Sequence, residues 1–301
     1  MKHFVFKLSI FAVIIVVCDV VIGRTMDYVV KNIEVGGRGR DNYICDKSVD
    51  DILIFGSSRA VHHYNSSMIE DSLGMSCYNC GDDGNGIILS YGRLSMIKER
   101  HQPKIVIHDV NPEFDVEVND NSRYLGWLRS RYNRHEIATI FNDVDKKEKY
   151  KMLSGMYCNN SVFLQNLFTF FTGISNSAGI KGYRPLTGEM DEMMKKEERE
   201  KSYSVDKLKV RYIKKFIEKS KGAKLYFVVS PIWYGMDSSN FSLIKEICDS
   251  MGVEFIDFSN NKKYVHNDEF FRDGAHLNEK GANEFTKDLI ATIQNFITTQ
   301  N

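Results

Sequence analysis

The chain has 301 residues, 43% of them hydrophobic, which suffices for one large domain with a full core or for two small ones. Lys plus Arg and Asp plus Glu each number 40, so the formal net charge is zero. That balance supplies no global basic field for nucleic acid and no acidic excess that would keep the chain unfolded.

The first element is residues 4–22, FVFKLSIFAVIIVVCDVVI, apolar except at Lys7, Ser9 and Asp19. A bilayer core needs ~20 helical residues, so this run is just long enough to cross one. The following GRTMDYVV offers no small-x-small cleavage site, which favours an uncleaved signal anchor over a removed signal peptide. Residues 1–24 are therefore expected to form a single transmembrane helix and residues 25–50 a juxtamembrane segment. The N-terminus is placed inside and the remaining chain on the extracytoplasmic side of the cell membrane. Arg24, Lys31, Arg38 and Arg40 on the far flank weaken the positive-inside asymmetry. The competing reading is a buried N-terminal helix, which the rest of the chain is too short to cover on all sides.

Past the anchor, short apolar runs alternate with amphipathic stretches. DILIFG (51–56) reads as a strand and SSMIEDSLG (66–74) as a short helix stopped by Gly74. MSCYN (75–79) is a second strand, GIILSYGRLSMIKER (86–100) a second helix and KIVIHDV (104–110) a third strand. The rhythm breaks over 112–204, where no strand pattern occurs. There VFLQNLFTFF (162–171) is a strongly apolar helical piece, and MDEMMKKEERE (190–200) reads as a solvated helix face. A helix near 205–221, the strand KLYFVVS (224–230), a helix near 239–251 and the strand VEFIDF (253–258) restore the alternation. The last helix, 279–297, puts Ala282, Phe285, Leu289, Ile293 and Phe296 on one face. This order predicts an α/β protein: a flavodoxin-like three-layer αβα sandwich with a five-stranded parallel sheet over 51–301, carrying a mainly helical insertion at 112–204. Four prolines and no low-complexity linker point to one continuous globular unit. The six cysteines do not settle the compartment, and Cys77 and Cys80, spaced C-x-x-C without a second pair, read as packing residues at a strand end.

In open parallel sheets, sites form at the carboxyl ends of strands. Four segments end there: Gly56-Ser57-Ser58-Arg59, the run from Asn79 to Asn85, Asp109-Val110-Asn111-Pro112, and DGAHLNEKGA (273–282) before the last helix. Asp273 and His276 are three apart in a turn entering a helix. That spacing lets the carboxylate hold one imidazole nitrogen while the other faces a reacting centre. A serine hydroxyl is a poor nucleophile until a base takes its proton, so a strand-tip serine and this Asp-x-x-His make a triad if the fold joins them. The bland alternatives are a helix-capping serine and a histidine bonded to backbone. His62 and His63 find no further ligands at metal-site spacing and read as surface residues or as supports behind the site. Asp109 and Glu113 flank Asn111 and read as solvated carboxylates or as groups that tune the site. The aromatic cluster Phe163, Phe168, Phe170 and Phe171 reads as core, with a lid or a membrane contact as alternatives.

In combination these blocks resemble the SGNH (GDSL-type) hydrolase superfamily. The resemblance covers 51–111 and 224–297, and it implies Ser58 as nucleophile with His276 and Asp273 completing the triad. It also implies an oxyanion hole made by the amides of Ser58 and Gly84 and the side chain of Asn111. Two departures stand out: Ser57 occupies the usual Asp position, and Pro112 stands where an Asp often follows the asparagine. The G-S-S form resembles a membrane-anchored subgroup that includes the D-alanine transfer protein of teichoic-acid synthesis and the alginate O-acetylation proteins. This subgroup implies an esterase or O-acyltransferase acting on acylated cell-surface polysaccharide, with a multispanning acyltransferase as partner. Arg59 is expected to anchor the turn, with contact to an anionic substrate as the alternative. No cofactor or metal and no nucleic acid partner is expected. The rival functional class is a catalytically silent glycan-binding or scaffold subunit of a surface-polymer assembly complex.

Overall fold

The computed structural model describes residues 1–159, 162–177, 179–191, 195 and 204–298, with side chains as far as residue 295. In chain order, α1 spans Lys2–Lys31 and α2 Gly36–Asn42. Strand β1 (Ile52–Gly56) runs into α3 (Ser58–His63) and α4 (Ser66–Leu73), β2 (Cys77–Asn79) into α5 (Ile87–Lys98), and β3 (Ile105–Asp109) into α6 (Pro112–Asp115). Helices α7 (His135–Val144), α8 (Glu148–Lys151), α9 (Gly155–Asn159) and α10 (Phe163–Thr172) follow without an intervening strand. The chain closes with α11 (Lys207–Lys219), β4 (Lys224–Val229), α12 (Ser242–Met251), β5 (Glu254–Asp257) and α13 (Glu279–Thr298).

The protein is α/β, built on one all-parallel sheet of five strands in the order β2-β1-β3-β4-β5. It divides into two compact units, Met1–Tyr43 with Asn121–Ser177 and Ile44–Asp120 with Ala178–Asn301. The composition alone points to a single unit, and the chain makes two because residues 121–177 fold on α1 rather than on the sheet.

In the first unit α1 is apolar and outward-facing over its first two-thirds, with a mean hydropathy of 2.7 across its best 18-residue window. It is long and apolar enough to cross a membrane. Its last turns behave differently: Met26 and Val29, with Ile33 just past the helix, are buried in a cluster with Phe163, Leu167 and Phe170. The expected core role of that aromatic stretch therefore holds for Phe163 and Phe170, while Phe168 and Phe171 are exposed. The turn after α1 is locked by Asn42, whose amide donates to the carbonyls of Val30 and Ile33 at 2.7 and 2.9 Å. Arg131 completes the lock on Asp41 and Asn42, at 2.7 Å from each.

In the second unit β1 and β3 are buried along their whole length, as the central strands of a doubly covered parallel sheet are. Ile52, Ile54, Ile107 and Val228 join Ala282, Phe285, Leu289 and Ile293 of α13 in one cluster, so the face expected of the last helix is the buried one. The Phe296 side chain and most of 190–200 lie outside what the structure describes. The opposite sheet face presents Phe55, His108 and Phe227, which pack at 5.5, 5.3 and 6.2 Å around the Phe216 ring of α11. Each aromatic so buried contributes about 1.5–3 kcal/mol. The edge strand β2 is shorter than its expected run and pairs with β1 over Cys77–Asn79. Residues 181–186 belong here too. Lys181 O accepts from the Asn79 amide, the Arg184 amide donates to Val61 O, and Leu186 O accepts from the Glu279 amide. This segment therefore runs past the tips of β2 and α3 to α13.

Candidate active site

β1 ends at Gly56 with φ +137°, where an added Cβ would meet Asp109 O at 2.7 Å and the Ala60 Cβ at 3.0 Å. Only glycine lets the strand turn there while staying against β3. Ser57 is the buried N-cap of α3, and Ser58 is its first helical residue. An amide in the first turn has no acceptor within the helix, so the Ser58 N–H is available and the positive end of the helix lies at this serine. The Ser58 hydroxyl sits 2.7 Å from His276 Nε2, across 218 residues of sequence.

The turn at 273–276 holds the histidine from behind. Asp273 Oδ1 accepts the amides of Ala275 and His276, both at 2.9 Å, and faces His276 Nδ1 at 2.9 Å, with Oδ2 at 3.0 Å. A carboxylate only accepts, so Nδ1 carries the ring proton and the Nε2 lone pair points at Ser58. Burial opposes ionisation of Asp273, but the hydrogen bond and charge of His276 and the two amides outweigh it and hold the carboxyl below its ordinary range. The fold thus brings Ser58, 218 residues away in the chain, to the Asp273–His276 pair.

Asn111 and Ser57 meet as well. The Asn111 amide donates to the Ser57 hydroxyl at 3.2 Å, and its Oδ1 accepts from the Glu113 amide, which caps α6. Gly84 lies at φ +65° in the turn between β2 and α5. Its neighbour Asp83 touches the site rim: Asp83 binds His62 Nε2 at 3.1 Å and Arg184 at 2.6 Å, and the His62 ring stands edge-on to His276 at 5.8 Å.

Sequence reasoning missed a second, buried network under the site. Of the two roles expected of His63, on the surface or supporting the site from behind, it takes the second: it is fully buried, receives the Leu277 amide on Nε2 at 3.0 Å, and holds the Ser230 hydroxyl at 2.9 Å from Nδ1. Burial foremost, then the charges of His276, Arg59 and His62, keeps this ring neutral. It pins the residue next to His276. Asp109 is likewise not solvated. It is fully buried, accepts from Tyr64 Oη at 2.6 Å and the Ser230 amide at 3.3 Å, and faces Arg59 Nε at 3.3 Å. Arg59 also donates to Val110 O, so it anchors the turn after Ser58, the structural one of its two expected roles. The sequence signal was present in KIVIHDV (104–110), where Asp109 follows an apolar run and precedes Val110, since a carboxylate held inside a central strand is buried and needs partners.

The rim pair carries a pH signature. Burial opposes ionisation of Asp83, while the His62 hydrogen bond and the Arg184 charge pull its carboxyl from 3.8 down to about 2. A depressed folded value means that the contribution is complete above the unfolded value and is lost as pH falls through the folded one. Water screens this half-exposed carboxylate, so the effect is modest. Asp83→Asn is expected to be less stable than wild type at neutral pH and to match it near pH 2, as read by thermal unfolding followed by circular dichroism.

Among the described residues no cluster of three or more His, Cys, Asp or Glu side chains could hold a metal ion. Cys77 and Cys80 are buried as free thiols at the end of β2, and burial raises the Cys77 thiol well above its ordinary range. No protein-family model matches the chain, and no curated protein matches it.

Proposed function

We propose that the protein is a membrane-anchored serine esterase or O-acyltransferase of the SGNH type, acting on acyl esters of a cell-surface or exported polysaccharide. The observation that carries this reading is the relay from Ser58 Oγ to His276 Nε2 at 2.7 Å and from Nδ1 to Asp273 at 2.9 Å. That is the geometry by which a base activates a hydroxyl. In this reading the sheet and its helices form a flavodoxin-like three-layer αβα sandwich over 51–301, with 112–204 as a mainly helical insertion. α1 anchors it with the catalytic domain on the extracytoplasmic side.

His276 takes the Ser58 proton on Nε2 as Oγ attacks the ester carbonyl carbon. The oxyanion is met by the amides of Ser58 and Gly84 and the side-chain amide of Asn111, one such donor contributing about 3 kcal/mol. The ester C–O bond then breaks, and His276 returns the proton to the leaving alcohol oxygen. Water, or a sugar hydroxyl where the site excludes water, takes the acyl group from Ser58 by the same steps reversed. Ser57 replaces the aspartate of the SGNH pattern and acts as acceptor for the Asn111 amide, keeping that donor in place. A multispanning acyltransferase is the partner that would supply acyl groups.

Labelling of the detergent-solubilised full-length protein by a fluorophosphonate probe tests the reading. Wild type is expected to label and Ser58→Ala to remain blank. A folded wild type that does not label returns the chain to the rival class, a silent glycan-binding or scaffold subunit.

A further inference from the structure

The α10 helix carries two apolar stripes where a soluble helix needs one. Phe163, Leu167 and Phe170, at i, i+4 and i+7, pack on the last turns of α1. Leu164, Phe168 and Phe171 repeat the same spacing one residue on and are bare, at 77%, 55% and 78% exposure. A surface helix gains nothing in water from a second stripe of this size.

The apolar run of α1 says what covers that stripe. Asp19 lies in the last turn of this run, and its carboxylate accepts the Ser154 hydroxyl at 2.7 Å and the Gly155 and Met156 amides at 2.8 and 3.0 Å. Gly23 and Gly155 bring the two backbones together, a Cβ at Gly23 falling 2.7 Å from Gly155 Cα. The start of α9 is thus tied to the end of the apolar run, with exposed Leu153 and Met156 beside the tie. α10 packs on Met26 and Val29, ~6–10 Å beyond Ile22 at ~1.5 Å per residue, about the depth of a headgroup layer. Exposed Lys146, Lys147 and Lys149 precede Leu153, and Arg24 follows the run, which complements anionic headgroups. The acids among them are engaged, Glu148 by Lys151 at 2.5 Å and Asp145 by the Lys147 amide at 2.9 Å.

We propose that the bare stripe of α10, with Leu153 and Met156, is a membrane-seating surface that lies in the lipid interface beside α1 and contacts anionic headgroups through the neighbouring lysines. Such a helix lies in the plane of the interface with its apolar face in the acyl boundary. The inference rests on α1 crossing the bilayer and is independent of the hydrolase reading.

The test uses full-length protein in vesicles of phosphatidylcholine and phosphatidylglycerol, with chains unbrominated, brominated near the headgroup for the α10 positions, or brominated near the methyl end for Val13, which lies ~13 Å from either end of the 4–22 run. Phe171→Trp is expected to lose about half of its added emission in the brominated vesicles, as an interfacial indole would. Wild type, with Trp127 and Trp233 only, gives the background, and Val13→Trp within α1 reports on the span. Leu164→Trp, on the same stripe, serves as the second variant should Phe171→Trp fold poorly. Quenching at Val13→Trp but not at the α10 positions would overturn the seating surface while leaving the span intact. Protection of those positions from aqueous acrylamide in that case would assign the stripe to a protein instead. Absence of quenching at all three positions would remove both the seating surface and the span.

Discussion

The His276→Ala protein is expected to hydrolyse an activated acyl ester with kcat lowered about 10⁴–10⁶-fold, the loss seen when a member of a serine triad is removed. The physical cause is the proton on Ser58. Without the Nε2 lone pair at 2.7 Å, the hydroxyl attacks as a neutral alcohol and must lose its proton to water. Residues acting as one unit are also non-additive. The Ser58→Ala/His276→Ala double variant is therefore expected to be no slower than the worse single variant. Steady-state hydrolysis of a p-nitrophenyl ester by purified full-length protein checks this. A double loss equal to the product of the two single losses would show that the side chains act independently, which is incompatible with the relay.

Removal of the buried carboxylate is the second large effect. Asp109→Ala is expected to destabilise the fold by about 3–5 kcal/mol, because it leaves the buried Arg59 guanidinium without its counter-charge. Burial pushes the Asp109 carboxyl above its ordinary range, with Arg59, Tyr64 and Ser230 pulling the other way, so the ionised form depends on those partners. Tyr64→Phe removes only one of them and is expected to cost about 1–2 kcal/mol. Pairing Asp109→Leu with Arg59→Met is expected to recover part of the loss, since an apolar pair of similar volume needs no desolvation. Denaturant unfolding of the four proteins, followed by circular dichroism, measures all three differences. A cost under about 1 kcal/mol for Asp109→Ala would mean that the pair does not hold the tip of β1.

The elements of the fold were legible to different degrees. Gly74 ends α4 in the left-handed conformation its position suggests, and Ala282, Phe285, Leu289 and Ile293 bury the face their spacing defines. The helix near 239–251 starts later than its pattern because Asp237 caps the Ser239 amide at 2.8 Å and turns Ser238–Phe241 into a 3-10 segment. Hydrophobic spacing does not report such local side-chain capture. At the site, the Asp-x-x-His turn was legible because its hydrogen bonds are local in sequence. His63 was not, since its partners Ser230 and Leu277 lie 167 and 214 residues away.

By itself the sequence determined the α/β alternation, the apolar N-terminal helix and the three residue types of the relay, because periodicity, run length and short-range spacing are properties of neighbouring residues. Only the tertiary structure decided that Ser58 faces His276, that Asp109 and His63 are buried beneath them, and that residues 121–177 pack on α1 instead of the sheet. Those outcomes depend on which strand tips lie side by side and on which apolar stripes find partners, and such contacts join residues far apart in the chain.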